Sequence, residues 1–249
     1  MVKLILFLLC FSSAGFSYTI LIDPGHGGED KGAVTLHYDG KVLREIHEKD
    51  LTLEISKKIY AKLQEKKYQV YLTRSIDRDV SLEKRAELAE KVKADLFISV
   101  HMNSSTTSES HGFETYYLDN HSNVAVKKVE DVENKNLDGD QLIIHQILTD
   151  LVVEKTVVSS KSLANSIHLE LKSNLQGFQI KDRGHKAGLF YVLALSKRPA
   201  VLLEVGFLSN PKELDKLNGE SFQKKYSEAV VRGIDKYFFS GKPQKTSFF

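Results

Sequence analysis

The sequence predicts a single α/β domain, built on a mixed, mostly parallel sheet with helices on both faces and one helical insert. Three observations support this prediction. Short apolar runs recur along the chain and end in turn residues, and amphipathic helical stretches alternate with them. The chain is also long enough for one well-buried core, since 41% of its 249 residues are hydrophobic and 27% are charged.

The charge pattern argues against nucleic acid as a partner. The formal net charge is only +2, from 35 basic and 33 acidic side chains. The two signs alternate along the helical stretches, which is typical of solvated helix faces. We therefore expect no nucleic-acid surface.

Residues 1–17 have the layout of a secretory signal peptide. Lys3 precedes an apolar run over residues 4–11, and small and polar residues follow that run. The run is too short to span a bilayer, and no later stretch is long and apolar enough to do so. The sole cysteine, Cys10, lies inside this segment, and the large leucines before it disfavour a lipid anchor. We therefore expect a thiol-free protein exported to the periplasm or to an extracellular, cell-wall space.

The first half of the chain alternates predicted strands and helices. An apolar run predicts a strand over residues 18–23, and apolar residues spaced by four predict a helix over 49–65. Ser81 is the expected N-cap of a second helix. The other strands predicted in this half cover residues 68–73, 96–100 and 112–118.

The second half contains the insert. Residues 119–158 break the alternation, because a polar, charged stretch leads into an apolar helix at 142–148, and we place a helical insert at 121–158. A folded domain over 18–240 and a flexible tail over 241–249 complete the prediction. After the insert we predict, in order, an amphipathic helix, a turn, a short strand, a buried strand and a last helix, at residues 162–175, 181–184, 189–193, 199–207 and 222–239.

Two histidines stand at the ends of predicted strands. The first strand runs through Asp23 and Pro24 to His26, and the strand at 96–100 runs into His101. In open α/β sheets, ligands bind in the crevice beyond the carboxyl ends of the strands. We therefore expect the two imidazoles to share one site.

Two neutral imidazoles, one carboxylate and an open position form a common catalytic zinc site. The carboxylate is expected where the first loop enters the first helix, because that helix packs beside the first strand. Glu48 lies at the mouth of the helix and is our choice, but the residues alone leave Glu45 as an alternative. An acid at a helix start can equally interact with the helix dipole. The acids of this region are Glu45, Glu48, Asp50 and Glu54.

Glu204 stands at the centre of the predicted buried strand 199–207. A charged acid in a dry core costs much free energy, so the strand must place it near a cation, a metal or water. A buried ion pair with Arg74 or Arg183 is the structural alternative. Zinc lowers the pKa of a water ligand to about 7, and a nearby glutamate can pass the released proton to a leaving amine. These residues therefore predict amide hydrolysis without a covalent intermediate.

Six blocks of the sequence resemble those of the zinc-dependent N-acetylmuramoyl-L-alanine amidases of bacterial cell-wall turnover. They follow the family's order over nearly the whole chain beyond residue 17, which makes the resemblance more specific than any single block. The blocks are residues 23–28, 48–50, 99–103, 112–118, 181–184 and 203–211.

The resemblance implies zinc ligation by His26, Glu48 and His101 and catalysis by Glu204. It further implies cleavage of the amide between the lactyl group of N-acetylmuramic acid and L-alanine. The substrate would be peptidoglycan or its lipid-linked precursor, and the process cell division or wall remodelling.

The insert is similar to the regulatory segment of the cell-division amidases, in its residues 133–138 and 145–151. This likeness implies that Glu133 occupies the open metal position at rest and that an activator protein displaces the helix. An ordinary surface helical hairpin is the alternative.

Asn103 and Arg183 are expected to contact substrate carboxylates or sugar amides, because of their loop positions. Two other functions stay open, another metallopeptidase of wall peptides and a wall-binding module with a degenerate site. Ser81 and Lys84 match the Ser-x-x-Lys pair of penicillin-binding enzymes, but Lys-Thr-Gly is absent. Ser81 is better explained as a helix cap.

Overall fold

The computed structural model describes residues 18–38, 40–120, 124–134 and 140–239. The predicted signal peptide at 1–17, with Cys10, and the predicted tail at 241–249 lie outside the described residues. Parts of the predicted insert, residues 121–123 and 135–139, lie outside them as well.

A mixed sheet of six strands forms the centre of the described part of the chain. Its strands are β1 (Thr19–Pro24), β4 (Gln69–Leu72), β5 (Leu96–Asn103), β6 (Phe113–Leu118), β7 (Asp182–Gly188) and β8 (Ala200–Phe207). They lie side by side in the order β4-β1-β5-β8-β6-β7. Within this sheet only β6 and β8 pair in antiparallel orientation, which confirms the predicted mixed, mostly parallel arrangement. A separate antiparallel hairpin consists of β2 (Val34–Tyr38) and β3 (Leu43–His47).

Helices cover both faces of the sheet, as predicted. They are α1 (Glu48–Glu65), α2 (Leu82–Lys91), α3 (Val124–Glu133), α4 (Asp140–Asn174), α5 (Tyr191–Ser196), α6 (Pro211–Leu217) and α7 (Glu220–Phe239). On one face, α1, α4 and α7 bury residues such as Ile55, Ile167 and Val230. On the other face, α2, α3 and α5 contribute Ala89, Val126 and Leu193 to a second core. None of the described helices has the length and apolar character that crossing a membrane requires.

Three predictions of local structure are wrong. Most of the turn predicted at 181–184 is instead the start of strand β7, which begins at Asp182, because pairing with β6 outweighs the turn-like composition. Residues 189–193 lead into helix α5 instead of forming a strand, since a short apolar run does not distinguish a strand from a buried helix. The helices predicted at 142–148 and 162–175 belong to one continuous helix, α4.

Helix α2 begins where the sequence predicts. The Ser81 hydroxyl accepts a hydrogen bond from the Lys84 amide at 3.4 Å, which caps the helix. Ser81 therefore has a structural role in this fold.

The strand register places the site residues next to one another. Strands β1, β5 and β8 lie side by side and run in the same direction, so their carboxyl ends meet at one edge. His26 follows the end of β1, and His101 on β5 is the cross-strand neighbour of Glu204 on β8. Side chains of such neighbours point to the same face of a sheet. The fold thus brings distant parts of the sequence together.

Candidate metal centre

His26, Glu48 and His101 converge at the carboxyl ends of β1 and β5. The Oε1 atom of Glu48 lies 3.1 Å from His26 Nε2 and 3.2 Å from His101 Nδ1. One possible ligand atom from each of these residues and from Glu133 lies within 4.8 Å of all the others. The set is compact enough to surround one cation.

Two buried arginines hold the backbone of the loop that carries His26. Arg74 donates hydrogen bonds to the carbonyl oxygens of Pro24 and Gly25, at 3.1 and 2.7 Å. Arg85 donates to the carbonyls of Pro24 and His26, at 2.9 and 3.0 Å. These contacts stabilise the left-handed backbone at His26, where φ is +58°. The loop therefore presents its imidazole in one fixed position.

Neighbouring residues also orient the two rings. His26 Nδ1 lies 2.8 Å from Asp30 Oδ2, and because a carboxylate can only accept, this nitrogen carries the proton. In the neutral ring, His26 Nε2 is therefore the nitrogen with a lone pair, and it faces the centre. Gly25 packs so closely on the other ring that a Cβ atom there would lie 2.5 Å from His101 Cε1. Only glycine fits at this position.

Glu48, and not Glu45, lies between the rings. The side chain of Glu48 is 1% exposed, and its two oxygens accept hydrogen bonds from the amides of Met102 and Ala33, both at 2.8 Å. Glu45 is exposed instead and pairs with Lys31 at 3.2 Å. The structure thus separates two acids that the residues alone left as alternatives.

The electrostatic field at the centre favours a positive charge. Burial lowers the pKa of the His26 ring, but the Glu48 carboxylate outweighs it, and the pKa rises to about 10. Burial acts in the same direction on His101, and Glu133 and Glu48 again raise its pKa well above the usual value. The field that would hold a proton on these rings would also hold a metal cation between them.

The donor set also fits a metal. His26 Nε2 and His101 Nδ1 are buried, and no residue in the described ranges gives either atom a well-formed hydrogen bond. Two imidazole nitrogens and one carboxylate are ligands that suit zinc, and neighbouring groups already orient His26 and Glu48. His26, Glu48 and His101 could therefore hold such an ion, with room for a further ligand.

Glu204 lies beside this centre. Its side chain is fully buried, and neither oxygen has a hydrogen-bond donor among the residues that the structure describes. Burial and the negative charge of Glu133 raise the pKa of this carboxyl well above its usual value. The ion pairs that the sequence left open do not form, since Arg74 binds backbone carbonyls and Arg183 pairs with Glu114.

Glu133, the last residue of α3, reaches into the same centre. Its Oε2 atom lies 2.7 Å from His101 Nδ1 and 3.7 Å from His26 Nε2, and its side chain is 6% exposed. The Glu133 carboxylate thus lies against the same ligand atoms as Glu48, so it can contribute a fourth ligand atom.

Three hydrogen bonds fix the end of α3 to the segment between β7 and α5. Glu130 accepts a hydrogen bond from the Leu189 amide at 2.7 Å. The side-chain Nδ2 of Asn134 donates to the Leu189 carbonyl at 2.7 Å, and its Oδ1 accepts from the backbone amide of Tyr191 at 3.1 Å. These contacts keep the Glu133 carboxylate at the centre.

Asn103 and Arg183 occupy different positions relative to the centre. Asn103 lies at the end of β5, two residues beyond His101, and is 8% exposed. Arg183 lies on β7, pairs with Glu114, and stacks over the Phe207 ring at 5.1 Å. The structure therefore places Arg183 to one side of the centre.

Sequence reasoning missed Glu114, Asp30 and Arg85. Glu114 gave the same signal as Glu204, an acid within a buried, apolar strand, and could have been found by it. Asp30 and Arg85 gave no comparable signal, because their roles depend on tertiary contacts with the His26 loop.

The family comparison covers almost the whole folded part of the chain. The sequence model of a family described as N-acetylmuramoyl-L-alanine amidase matches residues 20–236. The chain is 36% identical to the uncharacterized protein YqiI of Bacillus subtilis, over 88% of this chain and 84% of that protein. It is 31% identical to the N-acetylmuramoyl-L-alanine amidase AmiC of Escherichia coli O6:H1, over 89% of this chain. The match spans 53% of AmiC, about half its length.

Solved structures agree with this assignment. An N-acetylmuramoyl-L-alanine amidase from Clostridium difficile 630 superposes with a TM-score of 0.68 at 32% identity, covering 91% of this chain and 99% of that one. The CwlD amidase from Clostridioides difficile, solved in complex with the GerS lipoprotein, gives a TM-score of 0.67 at 27% identity, covering 90% and 100%. The chain belongs to the N-acetylmuramoyl-L-alanine amidase family.

Proposed function

We propose that this chain hydrolyses the amide between the lactyl group of N-acetylmuramic acid and L-alanine in peptidoglycan, using a zinc ion held by His26, Glu48 and His101. The observation that carries the proposal is their convergence beside Glu204, a buried acid to which none of the described residues donates a hydrogen bond. A buried carboxyl whose neighbours raise its pKa is suited to exchange protons with a substrate.

Zinc and the surrounding side chains have separate roles in the proposed reaction. When bound, zinc supplies Lewis acidity that polarises the scissile carbonyl and acidifies water. Glu204 accepts the proton of the attacking water and delivers it to the leaving nitrogen of L-alanine. Asp30 keeps the proton on Nδ1 of His26, so that Nε2 remains a ligand. Asn103 contacts the substrate at the end of β5, and Arg183 contacts it at β7.

The insert regulates access to the site. With α3 in place, the cavity beside His26, His101 and Glu133 has a volume of about 200 Å³, which is smaller than the roughly 300–1,000 Å³ typical of ligand sites. Glu133 occupies the open ligand position at rest, and an activator displaces α3. A protein partner is consistent with the related CwlD amidase, which was solved with a lipoprotein.

The proposed place of action is outside the cytoplasm. Residues 1–17 act as the signal peptide and direct the enzyme to the periplasm or to the cell-wall space. There it takes part in cell division or wall remodelling, on peptidoglycan or its lipid-linked precursor.

Digestion of purified peptidoglycan tests the reaction. We expect mass spectrometry to show stem peptides with a free N-terminal L-alanine and glycan strands with intact lactyl groups. Products cut within the peptide would indicate another metallopeptidase instead. Binding without any products, unchanged by Glu204→Gln, would indicate a wall-binding module.

A further inference from the structure

A second buried acid, Glu114, lies beside Glu204. The two glutamates are cross-strand neighbours on β6 and β8. Glu114 is buried, but unlike Glu204 it has several donors. The Tyr116 hydroxyl and the Arg183 Nε atom donate to its two oxygens, and Lys186 Nζ lies 3.2 Å from Oε1.

The two cations of this cluster reach solvent while the acid does not. The side chains of Arg183 and Lys186 are 31% and 24% exposed, whereas that of Glu114 is 2% exposed. The cluster carries two cations against one acid, so it presents a net positive charge. Among the described residues, no acceptor contacts Nη2 of Arg183, and the ammonium of Lys186 contacts only Glu114. Both cations therefore have donors left for a ligand.

The fold holds these cations in fixed positions. Glu114 binds both, and the Phe207 ring supports the guanidinium at 5.1 Å. Helix α3, whose last residue enters the metal centre, also lies against β7. Displacement of α3 would therefore open the metal centre beside a cluster that already reaches solvent.

We propose that Arg183 and Lys186, positioned by Glu114, form a subsite for a carboxylate of the stem peptide. The proposal deepens the proposed function and rests on it. A guanidinium and an ammonium that share one buried counter-ion are suited to charge-assisted hydrogen bonds with a carboxylate. The enzyme would thus select acidic over amidated stem peptides, and the peptide, not the glycan, would lie over β6 and β7.

The distances agree with the second stem residue as the ligand. Two strand spacings of about 4.8 Å separate the backbones of Arg183 and Glu204, or about 10 Å in total. A carboxylate on the second stem residue lies about 7 Å from the cleaved bond, at roughly 3.5 Å per extended residue. The long side chain of Arg183 covers the remaining distance.

Calorimetric binding of two muropeptides tests the subsite. They differ only at the second stem residue, a D-glutamate with either a free α-carboxylate or a carboxamide. The host chain carries Glu204→Gln and Glu133→Ala, so that neither turnover nor the α3 carboxylate interferes. We expect the acid to bind about 10- to 100-fold more tightly, the range of a charge-assisted contact. Arg183→Gln, Lys186→Gln and Glu114→Gln should each reduce this ratio, whereas general loss of structure would weaken both ligands equally.

Lys172→Gln is the matched control, because this lysine pairs with Asp182 at 3.1 Å outside the cluster, and it should leave the ratio unchanged. Equal binding of the two ligands, or no binding of either, would overturn the subsite. An unchanged ratio in both Arg183→Gln and Lys186→Gln would also overturn it. These two variants suffice for the test if Glu114→Gln does not fold. Digestion of peptidoglycan by the unaltered chain is measured separately. A preserved preference without digestion would contradict the proposed function alone.

Discussion

Glu114 and Glu204 occupy the same level of adjacent strands, yet their surroundings are opposite. Burial raises the pKa of Glu114, but hydrogen bonds from Arg183 and Tyr116 and the charge of Lys186 outweigh it and hold the pKa below its usual value. Burial also raises the pKa of Glu204, and there no described donor opposes it. One acid is therefore a stable anion, whereas the other is poised to carry a proton.

The difference shows how a buried acid can be interpreted. When protein side chains already donate hydrogen bonds to both oxygens of a buried acid, that acid holds those side chains in place. An acid without donors has none of its hydrogen-bonding capacity satisfied, and a substrate can supply the missing partner. Burial alone does not distinguish the two cases, but the partners do.

Glu204→Gln gives the largest expected effect. The amide keeps the size of the side chain but cannot accept and return a proton, so the rate should fall about 10²- to 10⁴-fold. Release of N-terminal L-alanine from purified peptidoglycan measures it, and circular dichroism checks the fold. Activity within a factor of a few of the unaltered chain would mean that Glu204 has no proton-transfer role.

Asp30→Asn should weaken zinc binding, because Asp30 fixes the proton on the back of the His26 ring. Loss of such a supporting contact typically costs about 10- to 100-fold in metal affinity. Competition with a chromogenic chelator measures the affinity. Asp50→Asn is the control, since this acid is exposed and its ion pair within the described ranges is with His47, at 3.5 Å. Equal zinc affinity in the two variants would show that Asp30 does not support zinc binding.

Glu133→Ala should raise basal activity about tenfold, within the usual range of coupling between a regulatory element and a site. The substitution removes the carboxylate from the centre and leaves α3 in place. Asp131→Ala is the matched control, because Asp131 is on the same helix but pairs with Lys127 at 2.8 Å. If both variants keep the basal rate, α3 is an ordinary surface helix. A deletion of residues 121–155 is less clean, because it also removes part of α4.

The smallest expected effect concerns Asp182, a third acid, which lies outside the site. Burial raises its pKa, but hydrogen bonds with His168 and Gly184 outweigh it and lower the pKa from 3.8 to about 2. Its folded pKa is depressed, so its stabilising effect is present above pH 3.8 and is lost as the pH falls toward 2. At neutral pH, Asp182→Asn should lower the melting temperature by roughly 2–4 °C. Scanning calorimetry between pH 2 and 7 should show this difference vanish at the acidic end; a constant difference would contradict the assignment.

The sequence predicted the parts of the fold whose pattern is local. The buried strands β1, β5 and β8 are apolar runs, and α1 has an apolar residue every fourth position. The hairpin of β2 and β3 was missed because its apolar residues, such as Leu36 and Tyr38, face solvent and mark no core. Strand β7 was missed because its pairing with β6 comes from the tertiary fold.

The candidate site was predictable to a similar extent. His26 and His101 were found by their positions at strand ends, and Glu204 by its place in an apolar strand. The choice of Glu48 over Glu45 required the family resemblance, because residue spacing does not determine which acid faces the site where a loop enters a helix. The contacts of Asp30 depend on where the chain returns in space, so no sequence pattern could give them.

Zinc content and amidase activity, measured on the same chelator-treated sample during zinc addition, test the central claim most directly. The account predicts a metal-free chain without activity, and a rate that rises in proportion to bound zinc until one ion is bound per chain. The same titration of His101→Ala should give neither binding nor activity. Full activity in the metal-free chain would contradict the account. So would zinc binding and activity in His101→Ala equal to those of the unaltered chain.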